Sequence, residues 1–528
     1  MKKIIIVLIV LQSLAAASLY AQTKPSFYKL NKEADAPLAE TPSGNSINDI
    51  IAVGNEVWVS GSKGANKSAD RGANWINYSG YPEFQGLNSA AIAKTSDTIC
   101  IALARSVEQS GSYLPEGQGI RYSTDNGATW KVSAQSLDAN DDNKIIYGIN
   151  TLDALPITTA INNIAYDAVL ISGYIYTANF AGGLRRSSDG GETWERVVIP
   201  PDYLNSINES DTLNFDLSPS AGALGLEGNL NHRVFSIAGE GDSTLYVGTA
   251  GGINKTTDLG KSWVKFNHTN QEQPISGNFV TALAYNPFDG SIWAATWKAE
   301  GEDEFYGVSF SLDGGATWRT TLEGERAHNF GFKETQVLVP TDNGVYRSTD
   351  YGSTWVLPGN IVDDSTKINL TTNVFYAAAS SGDDVWLGSD KGLARITETQ
   401  SIPWEGAWKI FIASSKLTSK SETYAFPNPF SPDDESISIK YSTGGKREKV
   451  TIRVFDFGMN LVRTIIQNAE RGDNIHTVDG FNDSPNAGVI DYWDGRDERG
   501  NIVANGVYFY RVDVGGEEPI FGKIIVLM

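Results

Sequence analysis

The chain of 528 residues has one cysteine, three methionines and four histidines, and each scarcity excludes something. Cys100 has no partner for an intramolecular disulfide, so the fold must be held by packing alone. His232, His268, His328 and His476 are too dispersed to suggest a zinc centre, and the sequence implies no metal and no cofactor. Positive charge is in deficit: 42 Lys plus Arg stand against 63 Asp plus Glu, a formal net charge of −21. Nucleic acid is therefore excluded as an expected partner, because gripping a phosphate backbone takes a concentrated basic face. Beyond the first twenty residues no apolar run is long enough to span a bilayer as a helix.

With 41% hydrophobic and 11% aromatic residues the chain can bury a sizeable core, and its length suggests about two to four domains. Residues 1–21 have the anatomy of an export signal: Lys2 and Lys3, an apolar run over 4–11, and a small residue at Ala21. Gln12 and Ser13 interrupt the run too early for a comfortable spanning helix, which makes an uncleaved membrane anchor the weaker reading. Cleavage after Ala21 removes two lysines and takes the charge to −21 − 2 = −23. The expected location is outside the inner membrane, secreted or at the cell surface.

One phrase, Ser/Thr-x-Asp-x-Gly-x-x-Trp, recurs six times. Its fixed residues are Asp70, Gly72 and Trp75; Asp125, Gly127 and Trp130; Asp189, Gly191 and Trp194; Asp258, Gly260 and Trp263; Asp313, Gly315 and Trp318; and Asp350, Gly352 and Trp355. The pattern makes sense as a hairpin turn: the Asp carboxylate accepts backbone amides, Gly supplies a positive φ, and Trp opens the next strand with a large apolar surface whose N–H can find a partner. Short β-rich runs precede each copy, among them EVWVSG from Glu56, TLYVGT from Thr244 and QVLVPT from Gln336. Further runs such as SINDIIAV from Ser46 and FVTALAYNP from Phe279 lie upstream, giving four strands per unit. A seventh unit, with strands from Val374, Asp384, Gly392 and Ala407, has lost the phrase within TETQSIPW. Seven such units predict a seven-bladed β-propeller, with residues from Ser26 as a strand that could clasp the ring shut.

Successive box aspartates are 55, 64, 69, 55 and 37 residues apart. The largest inserts, 133–156 and 200–230, are the expected binding surface, since long loops on a rigid scaffold tend to carry function. The loop from Asp138, DANDDNK, superficially matches a calcium loop, but Asn143 and Ile149 stand where Gly and Glu belong, so it reads as a solvated loop. Cys100, within an apolar strand, reads as a packed small hydrophobe.

The eight-residue phrase closely resembles the Asp-box, or BNR, repeat of sialidase-like propellers, also found in xyloglucan-degrading glycoside hydrolases, sortilin-type receptors and photosystem II assembly propellers. The resemblance covers about residues 45–412. It implies that the box residues are structural, lying at the blade periphery, with no catalytic role. A sialidase would need an arginine cluster for the substrate carboxylate, and its early Arg-Ile-Pro signature is missing; Arg105, Arg121, Arg185, Arg186 and Arg233 each read as blade-edge or loop charges. A two-carboxylate glycosidase remains open, with Glu302, Asp303 and Glu325 as acids that could line a cleft.

After Ile412 the register changes. Residues 413–423 read as a linker, and residues 424–528 as a small antiparallel Ig-like β-sandwich with strands from Ser436, Val450, Asn474, Gly506 and Phe521. FPNPFSP from Phe426, RVFDFGMNLVRTI from Arg453, YWDGRDERGNIVANGVYFYRV from Tyr492 and the terminal GKIIVLM together resemble the flagellar-hook-capping-type (FlgD-like) Ig-like domain of exported proteins of the Bacteroidota. Met459 stands where that family's turn has Gly. The resemblance implies a C-terminal sorting domain of type IX secretion; a plain spacer is the alternative. Asp494 and Asp497 read as turn formers.

The expectation is thus an all-β chain: signal peptide 1–21, Asp-box propeller 22–412, linker 413–423 and Ig-like domain 424–528. Its expected work is to bind a glycan or a surface protein, with the export machinery as a second partner through the C-terminal domain. Catalysis is left open, with a secreted glycoside hydrolase acting on polysaccharide as the rival. The sequence does not name the ligand-binding residues.

Overall fold

The computed structural model describes residues 41–219, 228–299, 301–363, 369–398, 402–413, 417, 419, 421–426, 428–433, 436–444, 446–472 and 489–528. The export signal, the clasp from Ser26, the strand from Asn474 and His476 lie outside the described residues. What is described is all-β, with two short 3-10 turns, Tyr78–Gly80 and Leu230–His232. Two compact units emerge from the contacts, Met1–Pro358 with Asn373–Glu405, and Gly359–Thr372 with Gly406–Met528. The strand Gly406–Phe411 groups with the second unit, where the Ile410 amide donates to Asp363 Oδ2 at 2.9 Å.

The first unit is a succession of antiparallel meanders. Its first sheet runs Ile47–Val53, Glu56–Gly61, Gly64–Ser68 and Ile76–Asn77, and the second Asn88–Thr95, Thr98–Gln109, Ser112–Ser123 and Lys131–Ser133. The third comprises Ala165–Ile171, Tyr174–Asn179, Gly183–Ser187 and Glu195–Arg196, and the fourth Val234–Glu240, Thr244–Thr249, Gly252–Thr256 and Ser262–Phe266. Phe279–Tyr285, Ile292–Trp297, Gly307–Ser311 and Arg319–Thr321 form the fifth; Gly331–Lys333, Gln336–Thr341 and Gly344–Ser348 the sixth; Phe375–Ser381, Asp384–Ser389 and Leu393–Glu398 belong to the seventh. First strands pack side by side from the first sheet to the fifth and from the sixth to the seventh, and the seventh returns to the first. The fifth and sixth share a core of Ala282, Trp293, Phe310, Phe330, Val337 and Val339. The sheets therefore close a ring, with their first strands innermost.

The recurring phrase builds one turn six times. Ser68 Oγ donates to Asp70 Oδ1 at 2.8 Å and accepts the Gly72 amide at 2.8 Å, while Asp70 Oδ1 accepts the Asn74 amide at 2.8 Å. The same three bonds recur around Asp125, Asp189, Asp258, Asp313 and Asp350. The residue before the Gly also has positive φ: Arg71 58°, Asn126 54°, Leu259 60° and Tyr351 54°, with Gly190 and Gly314 in the other two copies. Two successive positive φ angles define the mirror-image hairpin turn that suits strand twist. Hydrogen bonds from the Thr129 hydroxyl and amide pull the Asp125 carboxyl down to about 2.

Each turn is also a staple onto the preceding sheet. Gly127 sits against Trp58 of the first sheet and the Tyr78 hydroxyl of the turn that follows it, and a Cβ there would lie 2.3 Å from Tyr78 Oη. Trp130 enters a cluster of Trp58, Tyr78 and Phe84 edge-on. Lys67, Lys131, Arg186 and Lys255 donate to box backbone carbonyls of the following sheet. The same joint closes the ring: Trp75 meets Trp386 at 6.4 Å edge to face, Arg395 donates to the Arg71 carbonyl, and Arg71 forms a two-point pair with Asp384 at 2.7 and 2.8 Å. One expectation needs correcting. Trp194 and Trp355 donate their N–H to Ser133 and Thr321 hydroxyls, but the buried N–H groups of Trp130, Trp263 and Trp318 have no hydrogen-bond acceptor among the described residues. At Trp130 the neighbours are aromatic rings, whose faces supply only a weak acceptor.

Where the phrase is lost, its position is not idle. Glu398 lies six residues after Gly392, as Asp350 lies six after Gly344. Its side chain turns inward to a buried cluster instead of capping a hairpin. Arg347 donates to both its oxygens, Lys333 reaches Oε2 at 2.6 Å, and the Trp404 amide reaches Oε1 at 2.9 Å. The Trp404 ring lies over the Arg347 guanidinium at 5.2 Å. An ion-pair cluster thus joins the sixth and seventh sheets where a box would have done so.

The second unit contains two further antiparallel sheets, Tyr424–Phe426, Ile437–Tyr441 and Val489–Trp493, and Leu461–Arg471, Glu448–Phe455, Gly506–Val514 and Ile520–Val526. Their inward residues, including Ile437, Ile439, Val450, Ile452, Trp493, Tyr510, Val512 and Ile524, make one core. Inside it the Tyr441 hydroxyl donates to Asp491 at 2.6 Å, and Arg471 completes that carboxylate's bonding at 2.7 Å. Met459 takes φ 63°, so the turn keeps its left-handed residue without the glycine. Asp494 and Asp497 accept local amides, from Arg496 and from Arg499 and Asn501, as turn formers do.

Candidate functional site

The innermost strands carry a repeated irregularity that the sequence reading missed. In six sheets the first strand slips register by one residue near its start, leaving Asn48, Ala90, Tyr166, Phe235, Thr281 and Tyr376 as the extra residues. A bulge of this kind re-aims a side chain and frees backbone groups from the ladder. Asn48, Ala90, Tyr166 and Thr281, with Asp49, Asp167, Ile237, His328 and Asn329, line a cavity of about 160 Å³ at the centre of the ring.

The two carboxylates of that lining are engaged as ties. Asp49 Oδ1 accepts its neighbour's amide, Ile50, at 2.9 Å, and Oδ2 accepts the Ile92 amide of the second sheet at 3.4 Å. Asp167 repeats this with the Ala168 amide at 2.8 Å and the Ile237 amide of the fourth sheet at 2.9 Å. Asn329 accepts the Phe330 amide and donates to Asp49 at 3.2 Å. Inner strands present unpaired amides towards the channel, and these side chains satisfy them from sheet to sheet. The visible signal is an acid or amide immediately after the bulge, in Asn48-Asp49 and Tyr166-Asp167.

Beside the cavity runs an aromatic belt. Tyr166 packs on Phe235 at 5.6 Å, Phe235 on Phe180 and Phe279, and Phe279 on Trp297 at 6.2 Å. Trp297 continues to Tyr306 at 5.6 Å and to His328 at 6.1 Å, and His328 to Tyr376 at 5.4 Å. His328 Nε2 stands 2.7 Å from Asp342 Oδ1, a hydrogen bond that holds the Asp342 carboxyl below the usual carboxylate range. Two guanidinium groups lie on the belt: Arg233 over Phe180 at 5.8 Å, and Arg326 over Tyr306 at 4.9 Å and Trp297 at 5.7 Å.

The residues singled out from the sequence are spread around the ring. Arg105 pairs with Glu116, Arg121 donates to the Glu83 carbonyl, Arg186 pairs with Glu195, and Arg233 donates to the Pro219 carbonyl. Arg185 forms a buried two-point pair with Asp138 at 2.6 and 2.8 Å. The first acid of the DANDDNK loop is therefore buried rather than solvated, since it neutralises an arginine of the third sheet. Glu302 and Asp303 are exposed, and Glu325 accepts from Asn343 and Tyr346. Glu304, which the sequence reading passed over, is buried and accepts from Asn278 and the Ala299 amide. Cys100 is buried, with its thiol pushed up to about 12 by loss of solvent, so it is unreactive.

The long inserts pack on one another. A hairpin of Lys144–Tyr147 and Asn150–Asp153 shares a core with Ile207, Phe215 and Leu217 of the second insert and Trp263 of the fourth sheet. Ser206–Asn208 adds a fifth strand to that sheet. His232 fastens the arrangement: Nδ1 accepts the Ser218 amide at 3.0 Å and Nε2 donates to the Ile199 carbonyl at 3.2 Å. Burial pushes its pKa down to about 3. The Ile146 and Ile149 side chains at the hairpin tip remain exposed. No group of three or more potential metal-ligating side chains occurs among the described residues, and none of their helices is long and apolar enough to cross a membrane.

A comparison with known proteins matches residues 121–132 to the BNR/Asp-box repeat family. A xyloglucanase of Hypocrea jecorina (strain QM6a) is 25% identical over 281 residues, which is 47% of this chain and 30% of that enzyme. The chain thus matches less than a third of that curated relative's length. Among solved structures, a xyloglucanase of glycoside hydrolase family 74 from Xanthomonas campestris aligns with TM-score 0.48 and 15% identity over 77% of this chain and 59% of its own. YCF48 bound to D1 peptide aligns with TM-score 0.41 and 14% identity, over 72% of this chain and 98% of its own.

Proposed function

We propose that this protein is an exported, seven-bladed propeller that binds a glycan at one mouth of its channel without cleaving it. The observation that carries this reading is the fate of the channel acids: Asp49 and Asp167 are held by backbone amides, while the aromatic belt beside them, buried along most of its length, leaves Phe180 and Tyr306 partly exposed with a guanidinium over each. Sugar rings present apolar faces to aromatic side chains and hydroxyls to polar ones, which suits such a surface. Seven successive sheets, six of their joints made by the box staple and the sixth-to-seventh by the Glu398 cluster, support the blade count. The two-sheet core of residues 424–528 supports an Ig-like C-terminal domain, which on the sequence resemblance directs export or attachment at the outer membrane. Deleting residues 421–528 is then expected to trap the remainder in the periplasm, and normal surface delivery of the truncated chain would refute the sorting role.

The similarity to a xyloglucanase favours a second reading, a secreted polysaccharide hydrolase with paired carboxylates. Asp49→Asn and Asp167→Asn separate the two. As ties, the acids contribute stability, and the variants melt earlier with no catalytic change to record. As a catalytic pair, the wild-type chain releases reducing ends from xyloglucan and each variant loses that release.

A further inference from the structure

Arg326 is exposed, and among the described residues no ion pair or hydrogen bond engages its guanidinium. Its guanidinium carbon nonetheless lies over the Tyr306 ring at 4.9 Å and the Trp297 ring at 5.7 Å. The Trp297 ring is itself fixed, buried and donating its N–H to the Ala327 carbonyl at 3.1 Å. Asp342 acts on Arg326 through space without forming an ion pair, its Oδ1 being taken by His328, and the neighbouring Glu325 accepts from Asn343 and Tyr346. An exposed arginine whose guanidinium is seated over two rings keeps its fork of donors available for two-point binding of an oxyanion. The half-buried Tyr306 beside it can carry the apolar face of a sugar ring.

We infer that Arg326, seated on Trp297 and Tyr306, binds the acidic group of an anionic polysaccharide, a uronate carboxylate or a sulfate ester. The inference rests on the glycan-binding reading and narrows it to charged sugars. With a net charge of −21 the protein as a whole repels a polyanion, so any retention of one must come from a local site of this kind.

The test uses the full chain and four probes: polygalacturonate, dextran sulfate, neutral dextran and neutral xyloglucan. Wild-type protein is expected to bind one of the acidic polymers at least tenfold more tightly than either neutral one, and the acid preferred identifies carboxylate or sulfate. Arg326→Gln should weaken that binding roughly tenfold to a hundredfold, the loss of a charge-assisted pair of hydrogen bonds, with Arg326→Lys in between. The denaturation midpoint of each variant should fall by no more than the loss of the two ring contacts gives, since no hydrogen bond or ion pair of the guanidinium holds another element. Binding of a neutral polymer that is indifferent to Arg326→Gln would overturn the inference and leave the glycan reading standing. Acidic binding unaffected by the substitution would overturn it too. Failure of all four probes to bind would overturn both.

Discussion

Glu398 supplies the sharpest test of how the ring is held. Its carboxylate and the Arg347 guanidinium are each 2% exposed, and Lys333 shares the same carboxylate. Burial alone would raise the Glu398 pKa; hydrogen bonds from Arg347, Lys333 and the Trp404 amide outweigh it and hold the group below its ordinary value. Glu398→Ala leaves the buried Arg347 and the partly buried Lys333 without their counter-charge, and the expected loss is about 3–5 kcal/mol. Urea denaturation of the full chain, followed by tryptophan fluorescence, should show the transition containing this unit at lower urea with unchanged slope. Adding Arg347→Met to Glu398→Ala removes one stranded cation, so the double variant should be more stable than the sum of the single losses allows. Because the folded pKa is depressed, this contribution is full above the unfolded value near 4.5 and is lost as pH falls through the folded one. A Glu398→Ala loss under 1 kcal/mol, or strict additivity in the cycle, would refute the cluster as the substitute for the missing box.

Gly127→Ala should cost about 3 kcal/mol, since the residue has φ 83° and its Cβ would press on Tyr78 and Trp58; Gly54→Ala, with φ 60° and open space, should cost only about 1 kcal/mol in the same denaturant assay. Tyr351→Gly should stabilise by roughly 0.5–1 kcal/mol by relieving an exposed left-handed residue, read as a higher midpoint. His232 titrates near 3 when folded and near 6.5 when unfolded, so its contribution is present above 6.5 and is lost as pH falls from there towards 3. Relative to His232→Gln, wild-type stability between pH 6 and 4 should fall more steeply by about 1.4 kcal/mol per pH unit, and parallel profiles would contradict the neutral clamp.

The peripheral half of this molecule was legible because its constraint is local. A Ser or Thr, an Asp and a Gly at fixed spacing specify one turn, and six copies of the spacing reveal six hairpins whatever lies around them. Trp75 and its five counterparts are legible for the same reason, as the large residue that each hairpin presents to the sheet before it. The central half was not legible. Asp49 and Asp167 look like any strand acids until the inner strands stand side by side, because their partners, Ile92 and Ile237, are 43 and 70 residues away. Glu398 was readable in principle, from its six-residue offset after Gly392, but its partners come from another sheet. The inserts were expected to display a binding surface, yet much of their apolar content is spent on mutual packing around Leu217 and Trp263. Arg326 carries no sequence signal; only the rings of Trp297 and Tyr306 beneath it distinguish it from a solvated charge.

The central claim is recognition of a glycan without bond cleavage. Its most direct measurement incubates the full chain with a broad set of immobilised polysaccharides, recording retained protein and released reducing ends from the same wells. The account predicts retention on at least one polysaccharide with no reducing ends above the protein-free wells. Reducing ends that rise with protein concentration and vanish in Asp49→Asn or Asp167→Asn would contradict it.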